Sequence, residues 1–182
     1  MNFDVWPDGR LDIAGRIVPA ALGRSGVRQA ADKREGDGAT PAGVWSIRRL
    51  LYRPDKEPPP QTTLPATAIG EDDGWCDAPG DQAYNRPVKL PYAGSAERLW
   101  REDDLYDLLL VLGHNDDPPV PGLGSAIFVH LQRPDGAATD GCIAIARPDM
   151  LMLIALARAG DTIEVHAQAE PPTAFVRSSP ST

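Results

Sequence analysis

The first residues alternate between apolar and polar side chains. Phe3-Asp4-Val5-Trp6 is followed by Pro7-Asp8-Gly9 and then by Leu11-Asp12-Ile13. A two-residue period belongs to a half-buried strand, and Asp-Gly between two such runs predicts a hairpin. Residues 30–43 are a polar Gly/Pro loop, from which Val44 to Leu51 leaves as a strand. Residues 52–65 are proline-rich and predict an irregular surface excursion. The chain from Glu71 to Pro91 is again broken by turn residues, and Ser95 to Trp100 predicts a short helix capped by Ser95.

Leu105 to Leu112 is apolar apart from Asp107, the pattern of a central strand buried on both faces. Ile127 to Leu131 and Cys142 to Ile145 are two further short apolar strands, joined by the loop Gln132 to Gly141. Pro148, Asp149 and Gly160 bracket a helix over Pro148 to Ala159, and Thr162 to Val165 closes with a strand. The picture is a mainly β domain over residues 1–168 with a Pro/Ser tail, 169–182, expected to be disordered.

Composition narrows the function classes. The 182 residues include 17 Gly and 19 Pro, which excludes a helical bundle or coiled coil. With 18 basic against 26 acidic side chains the formal charge is −8, so no nucleic-acid partner is expected, because such binding relies on basic surface neutralising phosphates. No apolar run approaches the roughly 20 residues of a membrane span. Met1 to Arg10 carries Asp4 and Asp8 among its apolar residues and does not read as a signal peptide. The two cysteines, Cys76 and Cys142, form no CxxC pair.

One arrangement can carry chemistry: a strand ending near His130, a loop, then Thr139-Asp140-Gly141-Cys142 and another strand. The attacking species of a cysteine nucleophile is the thiolate, which is scarce at pH 7 for an unperturbed thiol, so a neighbouring imidazole is expected to ionise it. Gly141 would leave room for substrate, and the amides of Gly141 and Cys142 would form an oxyanion hole. Taken alone, a Cys and a His at this spacing are as readily a packed thiol and a strand-end imidazole.

Three segments, KREGDGATPAGVW (33–45), GSAIFVH (124–130) and TDGC (139–142), resemble the L,D-transpeptidase catalytic domain, the YkuD fold, and the similarity runs over about residues 10 to 165. DGWCDAPGDQAYNRPV (73–88) and LGHNDDPPVPGLGSAIF (112–128) look like one proteobacterial branch of that family. The resemblance implies a mixed β-sandwich with a few short helices and a cysteine acyltransferase acting on peptidoglycan stem peptides. It implies Cys142 as nucleophile, His130 as base and the Leu131 backbone carbonyl as the group orienting the imidazole. The thioester would be resolved by a diaminopimelate amine, giving a cross-link, or by water, giving a trimmed peptide. Carbapenems would be covalent inhibitors, and the substrate implies the periplasm.

The commoner box is Ser-His-Gly-Cys followed two residues on by Arg or Asn; here Thr139, Asp140 and Ala144 stand at the Ser, His and Arg positions. A branch with Ala after the Cys resembles enzymes that join L-alanine at position 1 to diaminopimelate at position 3. Against transfer stand two alternatives, an L,D-carboxypeptidase or amidase and a non-catalytic wall-binding module.

His114, Thr139, Asp140 and Arg86 are candidate substrate-binding residues, with Arg133 and Arg147 as further candidates for a substrate carboxylate. Cys76 beside Trp75 reads as a packed thiol, His166 as surface, and Trp75 and Trp100 as core or groove wall. Glu71, Asp72, Asp73 and Asp77 fit no calcium loop and read as a solvated face. Cys76, His114, His130 and Cys142 have ligand-type side chains but not the close pairs of a zinc site, so neither metal nor cofactor is expected.

Overall fold

The computed structural model describes residues 1–169. Its hairpin is the one the alternation predicts: β1 (Asn2–Val5) runs antiparallel to β2 (Arg10–Ile13), with Val5 opposite Leu11. Phe3, Val5, Leu11 and Ile13 are buried, and the polar residues between them face outward. Then come β3 (Arg16–Ala21), β4 (Val27–Gln29), β5 (Thr40–Tyr52) and β6 (Ala66–Ala68). A small-sheet segment holds β7 (Asp73–Cys76), β8 (Pro87–Lys89) and β9 (Ala96–Arg98). The chain continues through β10 (Leu108–Leu112), β11 (Phe128–Leu131), β12 (Ile143–Ile145), α1 (Arg147–Leu156) and β13 (Thr162–Val165).

The main sheet runs β10-β11-β12-β3-β2-β1-β13-β5-β4, and an added β10–β5 pairing closes the order from β10 to β5 into a ring. Thirteen-residue β5 makes this possible, because residues 43–46 pair with β13 and residues 47–52 with β10. The sandwich expected from sequence is therefore joined along both edges, giving a barrel-like core. Val5, Ile13, Leu50, Leu110, Val129 and Ile143 are among the residues that fill its interior. Met150, Leu153 and Ile154 of α1 pack into the same cluster, and Thr62 Oγ1 donates to the Ile154 carbonyl at 2.9 Å near the helix end.

Outside the ring, β8-β7-β9 form a three-stranded antiparallel sheet over a second apolar cluster. Alternate residues of β10 serve the two clusters: Leu108, Leu110 and Leu112 face the ring interior, and Leu109 and Val111 the outer core. Burial on both faces explains why this stretch shows no alternation in sequence.

Several predicted elements change. Residues 96–98 are strand β9, not part of a helix, because Ala96, Glu97 and Arg98 pair with Cys76, Trp75 and Gly74 of β7. A six-residue helix has too few internal bonds to compete with that ladder. The strand read from Leu105 starts at Leu108, after a 3-10 turn over Asp104–Tyr106. The helix read to Ala159 ends at Leu156: Ala157 is extended, and Gly160 sits in a turn closed by the Asp161 amide donating to the Arg158 carbonyl at 3.0 Å. The strand read from Val44 begins at Thr40, paired parallel with β4. The tail lies, beyond Ala169, outside the described residues.

Candidate active site

Strands β11 and β12 lie side by side in parallel, with Val129 opposite Ile143 and His130 opposite Ala144. Strand alternation sends Val129, Leu131, Ile143 and Ile145 into the ring. Phe128, His130, Cys142 and Ala144 therefore share the other face. There a cavity of about 460 Å³ is lined by His130, Cys142 and Ala144 from the ring, Glu97 from β9, and Tyr106 and Asp77 from the segments flanking the small sheet.

His130 is buried, and its Nδ1 lies 2.8 Å from the Leu131 carbonyl oxygen. A carbonyl only accepts, so Nδ1 carries the proton and Nε2 is left as a base. The ring packs edge-on against Tyr106 with centroids 5.3 Å apart. Burial, opposed by the bond to Leu131 and reinforced by the charge of Arg101, pulls the His130 pKa down to about 4. The imidazole is neutral at pH 7.

Cys142 is 9% exposed; its Sγ–H donates to the Ala126 carbonyl at 3.2 Å, and Sγ accepts from the Phe128 amide at 3.4 Å. Burial, with the charge of Glu97 behind it, pushes the thiol pKa up to about 12. This differs from the imidazole-ionised thiolate expected from sequence: both partners rest in their neutral forms.

The Thr139-Asp140-Gly141 turn is internally bonded. Thr139 Oγ1 donates to the Cys142 carbonyl at 2.7 Å and accepts from the Gly141 amide at 3.1 Å. The Gly141 amide expected in an oxyanion hole is thus engaged by Thr139. Gly141 sits at φ +137°, and a Cβ there would meet the Ala39 carbonyl oxygen at 2.9 Å, so glycine is required by the neighbouring chain rather than by substrate approach. Asp140 lines the cavity, is 85% exposed and pairs with Arg24.

Two sequence candidates stand elsewhere. His114 is absent from the cavity wall: it is buried against the edge of Trp45, with Nε2 3.0 Å from the Leu123 carbonyl. Arg86 lines a different pocket, beside Trp75 and Arg48. Arg133 lines the cavity, whereas Arg147 bridges Glu57 and Asp107 at 2.8 and 2.6 Å. Cys76 is a free, fully buried thiol. Asp72 and Asp73 pair with Lys89 at 2.7 Å, but Asp77, read with them as solvated face, is on the cavity wall.

Glu97, Tyr106, Glu35 and Lys33 also line this cavity and were not singled out from sequence. Glu97 was hidden inside the helix reading; strand alternation over 96–98 would have set it apart from Ala96 and Arg98. Tyr106 was absorbed into the apolar run, although its hydroxyl donates to Glu97 Oε1 at 2.5 Å.

The family model for the L,D-transpeptidase catalytic domain, YkuD, matches residues 3–165. The chain belongs to this family. Among solved structures, the L,D-transpeptidase from Mycobacterium smegmatis is 14% identical with a TM-score of 0.44, matching 91% of this chain and 58% of that one. L,D-transpeptidase 1 of Mycobacterium tuberculosis is 13% identical with a TM-score of 0.40, matching 91% of this chain and 60% of the other. The YkuD chain described here thus spans less than two thirds of the length of these structures. No curated protein matches it.

Proposed function

We propose that the chain is a peptidoglycan L,D-transpeptidase that forms cross-links between stem peptides through a Cys142 thioester. The observation that carries this reading is that Cys142 and His130 share one face of adjacent parallel strands and one cavity wall. Both groups rest neutral, so the thiol proton passes to His130 Nε2 as Sγ attacks the donor carbonyl, without a standing ion pair. The developing oxyanion is assigned to the Cys142 amide, joined by Gly141 if Thr139 releases it. His130 then protonates the departing amine, leaving an acyl thioester and a neutral imidazole. An acceptor amine attacks the thioester, His130 takes its proton and returns it to Sγ.

Small Ala144 beside His130 leaves the cavity without an arginine at that point, which supports a donor held differently from the commoner box and the 1–3 cross-link. Action on wall stems implies the periplasm.

Incubation with a carbapenem followed by intact-mass measurement is expected to give one covalent adduct, lost in Cys142→Ala. No adduct under reducing conditions would overturn the nucleophile assignment. Digestion of purified muropeptides is expected to give new dimers; only shortened monomers would favour the carboxypeptidase.

A further inference from the structure

The cavity is acidic in a way that the cysteine and histidine do not explain. Its cations are paired with other carboxylates, Arg133 only loosely, with Nε 3.6 Å from Asp135 Oδ1. Lys33 Nζ is 2.6 Å from Asp37 Oδ1, and Arg101 makes two 2.7 Å bonds to Asp103. Asp140 is paired with Arg24, but Glu35, Glu97 and Asp77 have no cation at hydrogen-bond distance among the described residues. Glu35 accepts from the hydroxyls of Tyr84 and Ser125, at 2.5 and 2.7 Å. Glu97 accepts from the Tyr106 hydroxyl through Oε1, and Arg101 reaches that same oxygen only at 3.9 Å. Asp77 has a buried oxygen, Oδ1, with no hydrogen-bond partner among the described residues. A buried acceptor left without a donor is unfavourable, more so when it is charged, and a bound cation removes that cost.

The transfer reading supplies a cation of this kind. A side-chain primary amine has a pKa near that of lysine, roughly 10.4, so an acceptor arrives at neutral pH as an ammonium. An ammonium has no lone pair. It must lose one proton before attack and a second during it, and His130 accounts for only the second.

Resting on the transpeptidase reading, we propose that Glu97, with Asp77 beside it, docks the acceptor's primary ammonium and takes the proton that leaves before the amine attacks the Cys142 thioester. The step balances: the carboxylate and the ammonium become carboxylic acid and free amine. The amine nitrogen then bonds to the thioester carbon, the C–S bond breaks, and the second amine proton passes through His130 to Sγ. Release of the Glu97 proton to solvent completes the cycle. Burial raises the Glu97 pKa, and the charges of Asp77 and Glu35 raise it further, against the Tyr106 hydrogen bond and Arg101; Cys142 faces it across the cavity. A raised pKa suits a carboxylate that must accept a proton near neutrality. Water needs neither docking nor prior deprotonation, so the same two residues would favour transfer over hydrolysis.

The test uses the full chain, a tetrapeptide muropeptide as donor and a tripeptide muropeptide with a free side-chain amine as acceptor. In Glu97→Gln, the ratio of dimer to hydrolysed monomer at pH 7.5 is expected to fall about 100-fold, the scale of a lost acid–base group. The deficit should shrink about tenfold per pH unit towards pH 10, as free amine replaces ammonium. Asp77→Asn, which leaves the Tyr106–Glu97 bond intact, is expected to raise the acceptor KM about tenfold, as for a lost ion pair in a confined site. It serves alone if Glu97→Gln does not fold. An unchanged product ratio in Glu97→Gln, or an unchanged acceptor KM in Asp77→Asn, overturns the proposal while leaving the thioester reading standing. Failure of the unsubstituted protein to take a carbapenem adduct overturns both.

Discussion

Cys142 holds its proton on the Ala126 carbonyl, among the groups of the outer core. Such a thiol differs chemically from one paired with a charged imidazole. A pKa raised to about 12 keeps the thiolate fraction at pH 7 below that of free cysteine, and His130, near 4, cannot stabilise it as an imidazolium. Iodoacetamide is therefore expected to alkylate Cys142 more slowly than free cysteine at pH 7, with the rate rising about tenfold per unit from pH 7 to 9. Mass time courses that use Cys142→Ala to subtract Cys76 would check this. A plateau near pH 6.5 would mean a preformed ion pair. At this scale the residues proposed to react, Cys142 and His130, stand out in the sequence, whereas their protonation does not, because it depends on burial by residues distant in sequence.

The small sheet and the ring are held together by Asn85, which the sequence reading passed over as part of a turn. Its Oδ1 accepts from Trp75 Nε1 at 2.9 Å and from the Ala126 amide at 3.0 Å. Its Nδ2 donates to the carbonyls of His114 and Asn115, at 3.0 and 2.7 Å. Asn85 is 3% exposed and adopts φ +55°, a conformation asparagine tolerates better than most residues. Asn85→Ala strips partners from four groups, three of them buried, so we predict a loss of at least about 2 kcal/mol in urea unfolding. Since the clamp holds the sheet that carries Glu97, the variant should also lose the proposed transfer activity. A midpoint within error of the parent would show that the two layers do not depend on it.

For the whole molecule, buried titratable groups set the pH range of stability. The folded pKa of His130, about 4, lies below its ordinary 6.5, so the unfolded chain binds the extra proton between these values. Its contribution is complete above pH 6.5 and is lost as pH falls towards 4, amounting to about 3 kcal/mol. His114, also buried and shifted down, acts in the same direction. Cys142 works at the other end: raised above its ordinary 9, it stabilises the fold below that pH and loses its contribution as pH climbs towards 12. Stability should therefore be broadest between about pH 6.5 and 9. Urea midpoints measured from pH 4.5 to 8 should rise with pH, and His130→Asn should flatten the rise. An equal slope in that variant would assign the effect to other groups.

Local order along the chain determined the β1–β2 hairpin, the apolar strands β10 to β12 and the residue types of the Thr139–Cys142 box. Alternation, an Asp-Gly turn and a reactive side chain each act over a few residues. Tertiary structure decided that residues 96–98 are a strand, that β5 closes the ring, that His114 and Arg86 lie off the cavity, and that Glu97 and Asp77 lie on it. Each of these depends on which distant segment supplies a backbone partner or removes water. The free energy of a β-ladder or a buried carboxylate resides in that partner and is absent from the local run of residues.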